Sequence, residues 1–313
     1  MEINSEELVQ ARAEVLAFYS PYTFIRKIKL PEQFSLFVRP ALEKFGTVDS
    51  CRQMEVTAEG RPFVFLYEHV AWDSHYFGRP CYKLFTVLFS GKRASALIKA
   101  IGVFKATLRR QENCYCFAEI PAEDIFLIQC LNEAGVRMVE TRLHYFKSDV
   151  AAFSGKRYSV REATKADAGV LAEVAATSRN AFDRLHADYA FAEQEADMYL
   201  ATYAQAAVSG FCDYVLVPDV PNVPVASFIA FDSLDSIFPG SNLCLVHARL
   251  AAVAPENGGW YVKLLSEVIF RAQKQNASLV KVTTQAANRS VIRTLESLNF
   301  SFGSLSHILV FAG

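Results

Sequence analysis

One structural pattern occurs twice in the chain, once in residues 117–146 and again in residues 282–311. Each copy has the pattern of a strand, a polar turn, a helix, a tight turn and a second strand. The equivalent positions are Leu131 and Leu295, Gly135 and Asn299, and Val136 and Phe300. Because the match lies mainly in the apolar positions, two interpretations stay open: a true internal repeat, or convergence of two αβ units. A true repeat predicts a chain built from two related halves.

The rest of the chain alternates between strand and helix patterns, which predicts an α/β (α+β) fold with a mixed central sheet flanked by helices. Residues 1–60 have the pattern of helices and loops and are predicted to form an N-terminal helical extension. Residues 61–152 are predicted to form a partial first half, in which residues 71–80 form an aromatic-rich turn. Residues 153–313 are predicted to form the complete second half.

Composition excludes several classes of protein. The net charge is −1, with 32 basic and 33 acidic residues, which is untypical of a nucleic-acid binder. The N-terminus lacks the basic start and apolar run of a signal peptide, and no apolar stretch is long enough to span a membrane. A cytoplasmic protein with no membrane partner is therefore expected.

The cysteines give no metal-binding pattern. Seven are scattered along the chain, and Cys114 and Cys116 are the only two that lie close in sequence. A single C-x-C without a second pair is a poor zinc signal. We expect buried free thiols and no metal site.

A glycine-containing turn joins a strand to a helix after Pro255. Gly258 and Gly259 stand where the helix begins, and the first amides of a helix have no intrahelical partner. These amides carry the positive end of the helix dipole, so the turn has the features of a pyrophosphate site. An ordinary turn before a helix is the alternative interpretation.

The order of elements around this turn resembles the GNAT acyltransferase superfamily. Within it, the chain looks most like the dTDP-fucosamine acetyltransferase group, which acylates 4-amino-sugar nucleotides. Four segments carry the resemblance: AWDSHYFGRP at 71–80, the stretch 183–217, VKVTTQAANRSVIRTLESLNF at 280–300, and SHILVF at 306–311.

The resemblance implies acetyl-CoA or another acyl thioester as donor, a small-molecule amine as acceptor, and no metal. The residues that it places at the donor are Ala252, Val253, Asn257, Gly258, Gly259, Trp260, Thr284 and Asn288. Those that it places at the acceptor are the loop residues Asp183, Arg184, His186 and Asp188, together with Trp72, Asp73 and Phe77, whose turn is expected at the interface of the two halves.

Three positions depart from the superfamily pattern. Glu256 stands where a cation or amide usually meets the phosphates, and Tyr261 stands where a small residue is usual. Leu295 replaces the tyrosine that protonates the departing thiolate, and leucine cannot donate a proton. Tyr261 is therefore the candidate acid, with Tyr189 as a second choice, and His247 on the preceding strand is the candidate base.

These departures leave two alternatives to an acyl-CoA enzyme. An acyl group on a carrier protein's pantetheine arm has no nucleotide pyrophosphate beside it, so a weakened phosphate turn would matter less. A non-catalytic protein with the same fold, binding a ligand or serving as a scaffold, is the other alternative.

Overall fold

The structure, a computed structural model, describes residues 4–110, 113–178 and 180–313. Residues 1–3, which belong to the predicted N-terminal extension, lie outside the described residues. The described residues form two compact units: the first runs to Thr141 and also contains Ser304–Gly313, and the second is Arg142–Gly303. The domain boundaries predicted after residues 60 and 152 stay predictions.

The first unit contains helices and strands in alternation. Its helices are α1 (Ser5–Leu16), α2 (Leu30–Gln33), α3 (Arg39–Leu42), α4 (Ala71–Phe77), α5 (Ala94–Arg109) and α6 (Ile125–Glu133). Its strands are β1 (Cys51–Ala58), β2 (Arg61–His69), β3 (Cys81–Leu88), β4 (Tyr115–Pro121), the first part of β5 (Arg137–Lys147) and most of β11 (Ser301–Ala312).

Strands β1, β2, β3, β4 and β11 lie side by side in that order, and only β3 and β4 pair in parallel. A two-residue turn joins β1 to β2, with Glu59 and Gly60 both at positive φ, as in a type I′ hairpin. Strand β1 corrects the expectation that residues 1–60 hold only helices and loops. Helix α4 corrects the expected turn, and it ends at Gly78, whose φ of 59° is left-handed.

The second unit has the same kind of alternation. Its helices are α7 (Ala168–Thr177), α8 (Glu193–Ala206), α9 (Trp260–Lys274) and α10 (Arg289–Ser297). Its strands are the rest of β5, β6 (Val160–Glu162), β7 (Tyr214–Pro218), β8 (Ser227–Leu234), β9 (Leu245–Val253) and β10 (Leu279–Gln285).

The sheet of the second unit has the order β5, β10, β9, β8, β7, β6, and only β9 and β10 pair in parallel. One face of this sheet packs on α9 and α10, where Val246, Val280 and Leu264 are fully buried. The opposite face packs on α7 and α8 through small residues such as Ala175, Ala204 and Ala252. Side chains on a strand alternate between these two faces.

The predicted repeat has the same structure in both copies. The series β4, α6, β5 is equivalent to β10, α10, β11, with an offset of 164 residues from Leu131 to Leu295. Gly135 and Asn299 both have positive φ. The next amide donates back to the equivalent leucine carbonyl in both copies, at 2.9 Å. The two copies therefore share the same local structure, and a true repeat and convergence both stay open.

All seven cysteines are free, and six of them are buried. Among the described residues, no group of three or more metal-ligating side chains is placed to hold an ion. None of the described helices combines the length and apolar character needed to cross a bilayer.

Candidate functional site

Strands β9 and β10 diverge at their carboxyl ends. They pair over four residue pairs, and the pairing ends at Ala248 and Val282. Beyond that point β9 stays paired with β8 as far as Val253, and β10 stays paired with β5 as far as Gln285. Each strand stays paired with its other neighbour, but the backbone of residues 249–253 no longer pairs with β10.

A β-bulge lies where the divergence begins. Ala230 of β8 pairs with Leu250 and Phe231 pairs with Ala248, so Arg249 is the extra residue in β9. A bulge bends its strand and increases the local twist, which is a physical reason for β9 to turn away from β10 here. The Arg249 guanidinium lies 3.6 Å from the Asp232 carboxylate.

The divergence leads to the glycine turn. Strand β9 ends at Val253, Pro255–Asn257 form a 3-10 turn, and α9 begins at Trp260. Gly259 has a φ of 83°, which favours glycine. Gly258 is exposed, and a Cβ added there would meet only the Pro255 carbonyl, at 3.6 Å. The turn therefore presents backbone to solvent at the start of a 15-residue helix.

The two residues that flank the glycines point inward. The Asn257 side chain is buried, and its amide donates to the Pro224 carbonyl and to Ser227 Oγ, both at 2.9 Å. Trp260 is also buried, with the Lys263 ammonium 4.5 Å from the centre of its ring. Both side chains hold the turn in place, so the surface they support is backbone.

The other predicted donor residues lie along the diverging strands. Ala252 packs toward α7 and Val253 toward the core under α9, as alternation in a strand requires. Thr284 is buried on β10. Asn288 caps α10, with its side-chain oxygen accepting from the Val291 amide at 3.3 Å. The structure thus brings this predicted set together around β9, β10 and the turn.

Tyr261 lies in the first turn of α9 and packs against the core of the second unit, as do Ala251 and Val253 of β9. Burial raises the pKa of its phenol. Leu295 is fully buried in the same core. Leucine cannot donate a proton, so the role of Tyr261 as the acid stays a prediction.

His247 lies on β9 just before the bulge. It pairs with Asp232 of β8 on one side and with Lys281 of β10 on the other. Burial, with further contributions from Lys281, Arg249 and His144, lowers the pKa of His247 to about 3. The imidazole is therefore neutral near pH 7 and is a weak base.

The loop between α7 and α8 holds the predicted acceptor residues. His186 Nδ1 lies 2.6 Å from the Asp183 carboxylate, and its Nε2 lies 3.0 Å from that of Asp197. Arg184 and Asp188 are buried in the same loop. These side chains shape the loop from within, so any contact they make with an acceptor stays a prediction.

The same loop reaches the end of β10, where the Asn180 side chain donates to Gln285 Oε1 at 2.5 Å. The loop therefore lies beside the diverging strands. The remaining predicted acceptor residues, Trp72, Asp73 and Phe77, lie on α4 in the first unit, where Asp73 is buried. Their contact with an acceptor also stays a prediction.

The first unit contains an equivalent divergence. Strands β3 and β4 pair in parallel only as far as Leu84 and Ala118, and a register shift between Leu66 and Tyr67 of β2 leaves Phe85 as the extra residue of β3. The offset of 164 residues places Phe85 at the position of Arg249. Both halves therefore carry the bulge and the divergence.

A buried arginine contacts β3 and the start of α6 at this first divergence. The Arg12 guanidinium of α1 donates to the Val87 carbonyl, to Thr86 Oγ1 and to the Asp124 carboxylate, and its side chain is 4% exposed. Tyr19 donates to the same carboxylate at 2.6 Å. The 164-residue offset places Ala176 of α7 at the position of Arg12. The second unit has no guanidinium at this position, so the second divergence is the candidate site.

Three residues near this site were missed in the sequence analysis: Arg249, Lys281 and Tyr203. Lys281 is buried on β10, and Tyr203 of α8 hydrogen-bonds to Arg249. Alternation along β9 places Arg249 and His247 on one face, and this signal was available. The bulge and the strand register, which bring Lys281 beside His247, cannot be read from residue types.

Known proteins share this fold. No protein-family model and no curated protein sequence matches the chain. A GCN5-related N-acetyltransferase from Sphaerobacter thermophilus is similar in structure, with a TM-score of 0.54 and 9% identity over 96% of this chain and 93% of its own. A GCN5-related N-acetyltransferase from Kribbella flavida has a TM-score of 0.51 and 14% identity, over 86% of this chain and 92% of its own. A conserved Staphylococcus epidermidis protein of unknown function has a TM-score of 0.52 and 14% identity, over 82% of this chain and 93% of its own.

These similarities show the fold. The predicted α/β architecture of the GNAT type, with a mixed sheet flanked by helices and two such halves, is confirmed. The diverging parallel strands, the bulge and the turn before α9 lie within this fold.

Proposed function

We propose that the second unit transfers an acyl group from acyl-CoA to an amine. The observation that carries the proposal is the divergence of β9 from β10, which begins at the Arg249 bulge and leads to the exposed turn at Gly258 and Gly259. An extended thioester arm can pair with strand backbone that has left its ladder, and a helix start can hold its phosphates.

In this proposal, the pantetheine arm lies along Ala252 and Val253 and the pyrophosphate meets the amides at Gly258 and Gly259. Asn257 and Trp260 support the turn from below. Thr284 and Asn288 border the arm on the β10 side. The acyl carbonyl then lies near the bulge, on the side where His247 stands.

The reaction requires one bond to form and one to break. The amine nitrogen attacks the thioester carbon, and the proton it loses passes to His247 and on to solvent. The carbon–sulfur bond breaks, and the leaving thiolate takes a proton from Tyr261, which regains one from solvent. Because His247 is neutral near pH 7, it accepts a hydrogen bond from the attacking amine before it accepts the proton.

The resemblance to enzymes that acylate 4-amino-sugar nucleotides supports a finer proposal, in which the amine belongs to a nucleotide-linked sugar. The loop between α7 and α8 supplies the acceptor side, with its shape held by Asp183, His186, Arg184 and Asp188.

The test is a carboxylate placed on the turn. Gly258→Asp needs no positive φ and meets no close neighbour, so the fold should be kept while the phosphates are repelled. We expect CoA to raise the melting temperature of the wild type but not of this variant. Gly169→Asp, on an exposed first turn of α7 with nothing within 4 Å, is the matched control and should behave as wild type. Equal CoA binding by both variants would contradict the proposed donor position.

A carrier-protein donor is the second candidate, and Glu256 favours it. Its exposed carboxylate stands beside the turn and would repel a nucleotide pyrophosphate. Acetyl groups on a phosphopantetheine-loaded carrier protein would then react where acetyl-CoA does not. Binding without thiol release from either donor would indicate a non-catalytic protein.

A further inference from the structure

One face of the second unit's sheet gathers basic side chains. Residues that pair across neighbouring strands point to the same side, and the pairs Lys281–His247, Thr283–His144 and Gln285–Arg142 place six side chains on one face. His144 Nδ1 lies 3.1 Å from Thr283 Oγ1, which confirms the shared side. We call Arg142, His144, His247, Arg249 and Lys281 the basic face.

Arg249 belongs to this face although the bulge leaves it unpaired. Its guanidinium lies 3.6 Å from Asp232, which pairs with His247, and it hydrogen-bonds to Tyr203 of α8. Three side chains of the basic face are permanent cations, and Asp232 supplies a carboxylate beside them. In the neighbouring loop, His186 contacts Asp183 of the loop and Asp197 of α8.

The low pKa of His247 is a second indication of positive potential. After burial, the contributions that lower it come from Lys281, Arg249 and His144. Lys281 is itself 7% exposed, so its charge is poorly screened by water. A neutral imidazole and nearby cations are thus side by side at this point of the sheet.

The basic face lies at the beginning of the divergence, where the proposed acyl carbonyl would stand. Asn180 reaches Gln285 on the same face, so the loop between α7 and α8 borders it. An acceptor that attacks the carbonyl from this side must lie against Lys281 and Arg249.

We propose that the acceptor carries an anionic group, a phosphate or a carboxylate, beside its amine, and that Lys281 and Arg249 bind this group. The proposal rests on the proposed acyl transfer for its location and names the chemical class of the acceptor. Opposite charges at short range in a half-buried site attract strongly enough to select among amines.

The same positive potential assists the chemistry. A nearby cation disfavours the charged form of a basic group, so an amine bound here loses its proton more readily. The amine is then a nucleophile without a strong base, which agrees with the weak basicity of His247.

The experiment compares three amines that share an aminoethyl group: ethanolamine, β-alanine and 2-aminoethyl phosphate. Binding is measured by calorimetry with saturating CoA present, so that the glycine turn is occupied. We expect at least one anionic amine to bind about tenfold more tightly than ethanolamine, with the preference lost at high salt. The two anionic probes distinguish a carboxylate from a phosphate.

Variants locate the binding. Lys281→Gln and Arg249→Gln should each remove most of the preference, whereas Lys274→Gln, on the exposed end of α9, should keep it. Arg249 is partly exposed, so its variant remains informative if Lys281→Gln fails to fold. Equal binding of all three amines, no binding of either anionic amine, or a preference that survives both variants would overturn the inference. If CoA itself does not bind, the proposed function fails instead.

Discussion

The environment of His247 predicts a specific dependence of stability on pH. The pKa of an ordinary histidine is 6.5, and that of His247 in the folded protein is about 3. Between these values the unfolded chain binds a proton that the folded chain does not, so the free energy of unfolding falls as the pH drops below 6.5. The loss is complete near pH 3.

The magnitude follows from the size of the pH window. Each unit of pH below 6.5 costs about 1.4 kcal/mol, so at pH 4.5 the wild type should have lost roughly 2–3 kcal/mol through His247 alone. His247→Asn does not titrate in this range and escapes the loss. The difference in unfolding free energy between the two proteins should therefore change by this amount between pH 7.5 and pH 4.5.

Urea denaturation at the two pH values measures this difference, since all other titrating groups largely cancel. Thr283→Ser lies on the same face and has no titrating group, so its unfolding free energy should change with pH as that of the wild type does. If the unfolding free energy of His247→Asn changes with pH as that of the wild type does, the imidazole is not held neutral. The argument for a positive potential around it would then lose this support. Because His247 does not titrate between pH 5 and pH 8, the pH dependence of activity in this range should have the same shape in the wild type and in His247→Asn.

Three further predictions concern the donor and the first unit. Glu256→Gln removes an exposed carboxylate from the turn and should tighten CoA binding by about 0.5–1 kcal/mol in calorimetry, and unchanged affinity would place the phosphates elsewhere. Tyr261→Phe keeps the packing and removes the proton donor, so kcat should fall at least about tenfold while CoA affinity is unchanged; an unchanged kcat would remove this assignment. Arg12→Met leaves Asp124 buried without its cation and should cost about 3–5 kcal/mol in urea unfolding, and a cost under about 1 kcal/mol would contradict the buried contacts.

The sequence allowed the fold to be predicted wherever a local pattern determines it. The tight turns at Gly135 and Asn299, the helix start after Gly259 and the apolar helix faces are local features, and they have the expected structure. Strand β1 was missed because Arg52, Gln53 and Glu55 are untypical of strands, and only its pairing with β2 makes it one.

The site was predicted less completely than the fold. The glycine turn and His247 follow from residue types and spacing. The bulge at Arg249 depends on the pairing register of β8 and β9, and the nearness of Lys281 to His247 depends on β10 lying beside β9. Contacts between residues far apart in sequence, such as Arg12 with Asp124, leave no periodic signal.

The two halves differ in the residues that lie at their diverging strands. Both have a bulge followed by diverging parallel strands. In the first half, Arg12 donates to the Val87 carbonyl and to Thr86 Oγ1 of β3, and it is the charge partner of Asp124. In the second half, the equivalent position is Ala176, and the capping position equivalent to Asp124 is the neutral Asn288. In the proposed function, an amide-bearing thioester arm pairs with the backbone of β9 beyond Ala248, where its pairing with β10 has ended.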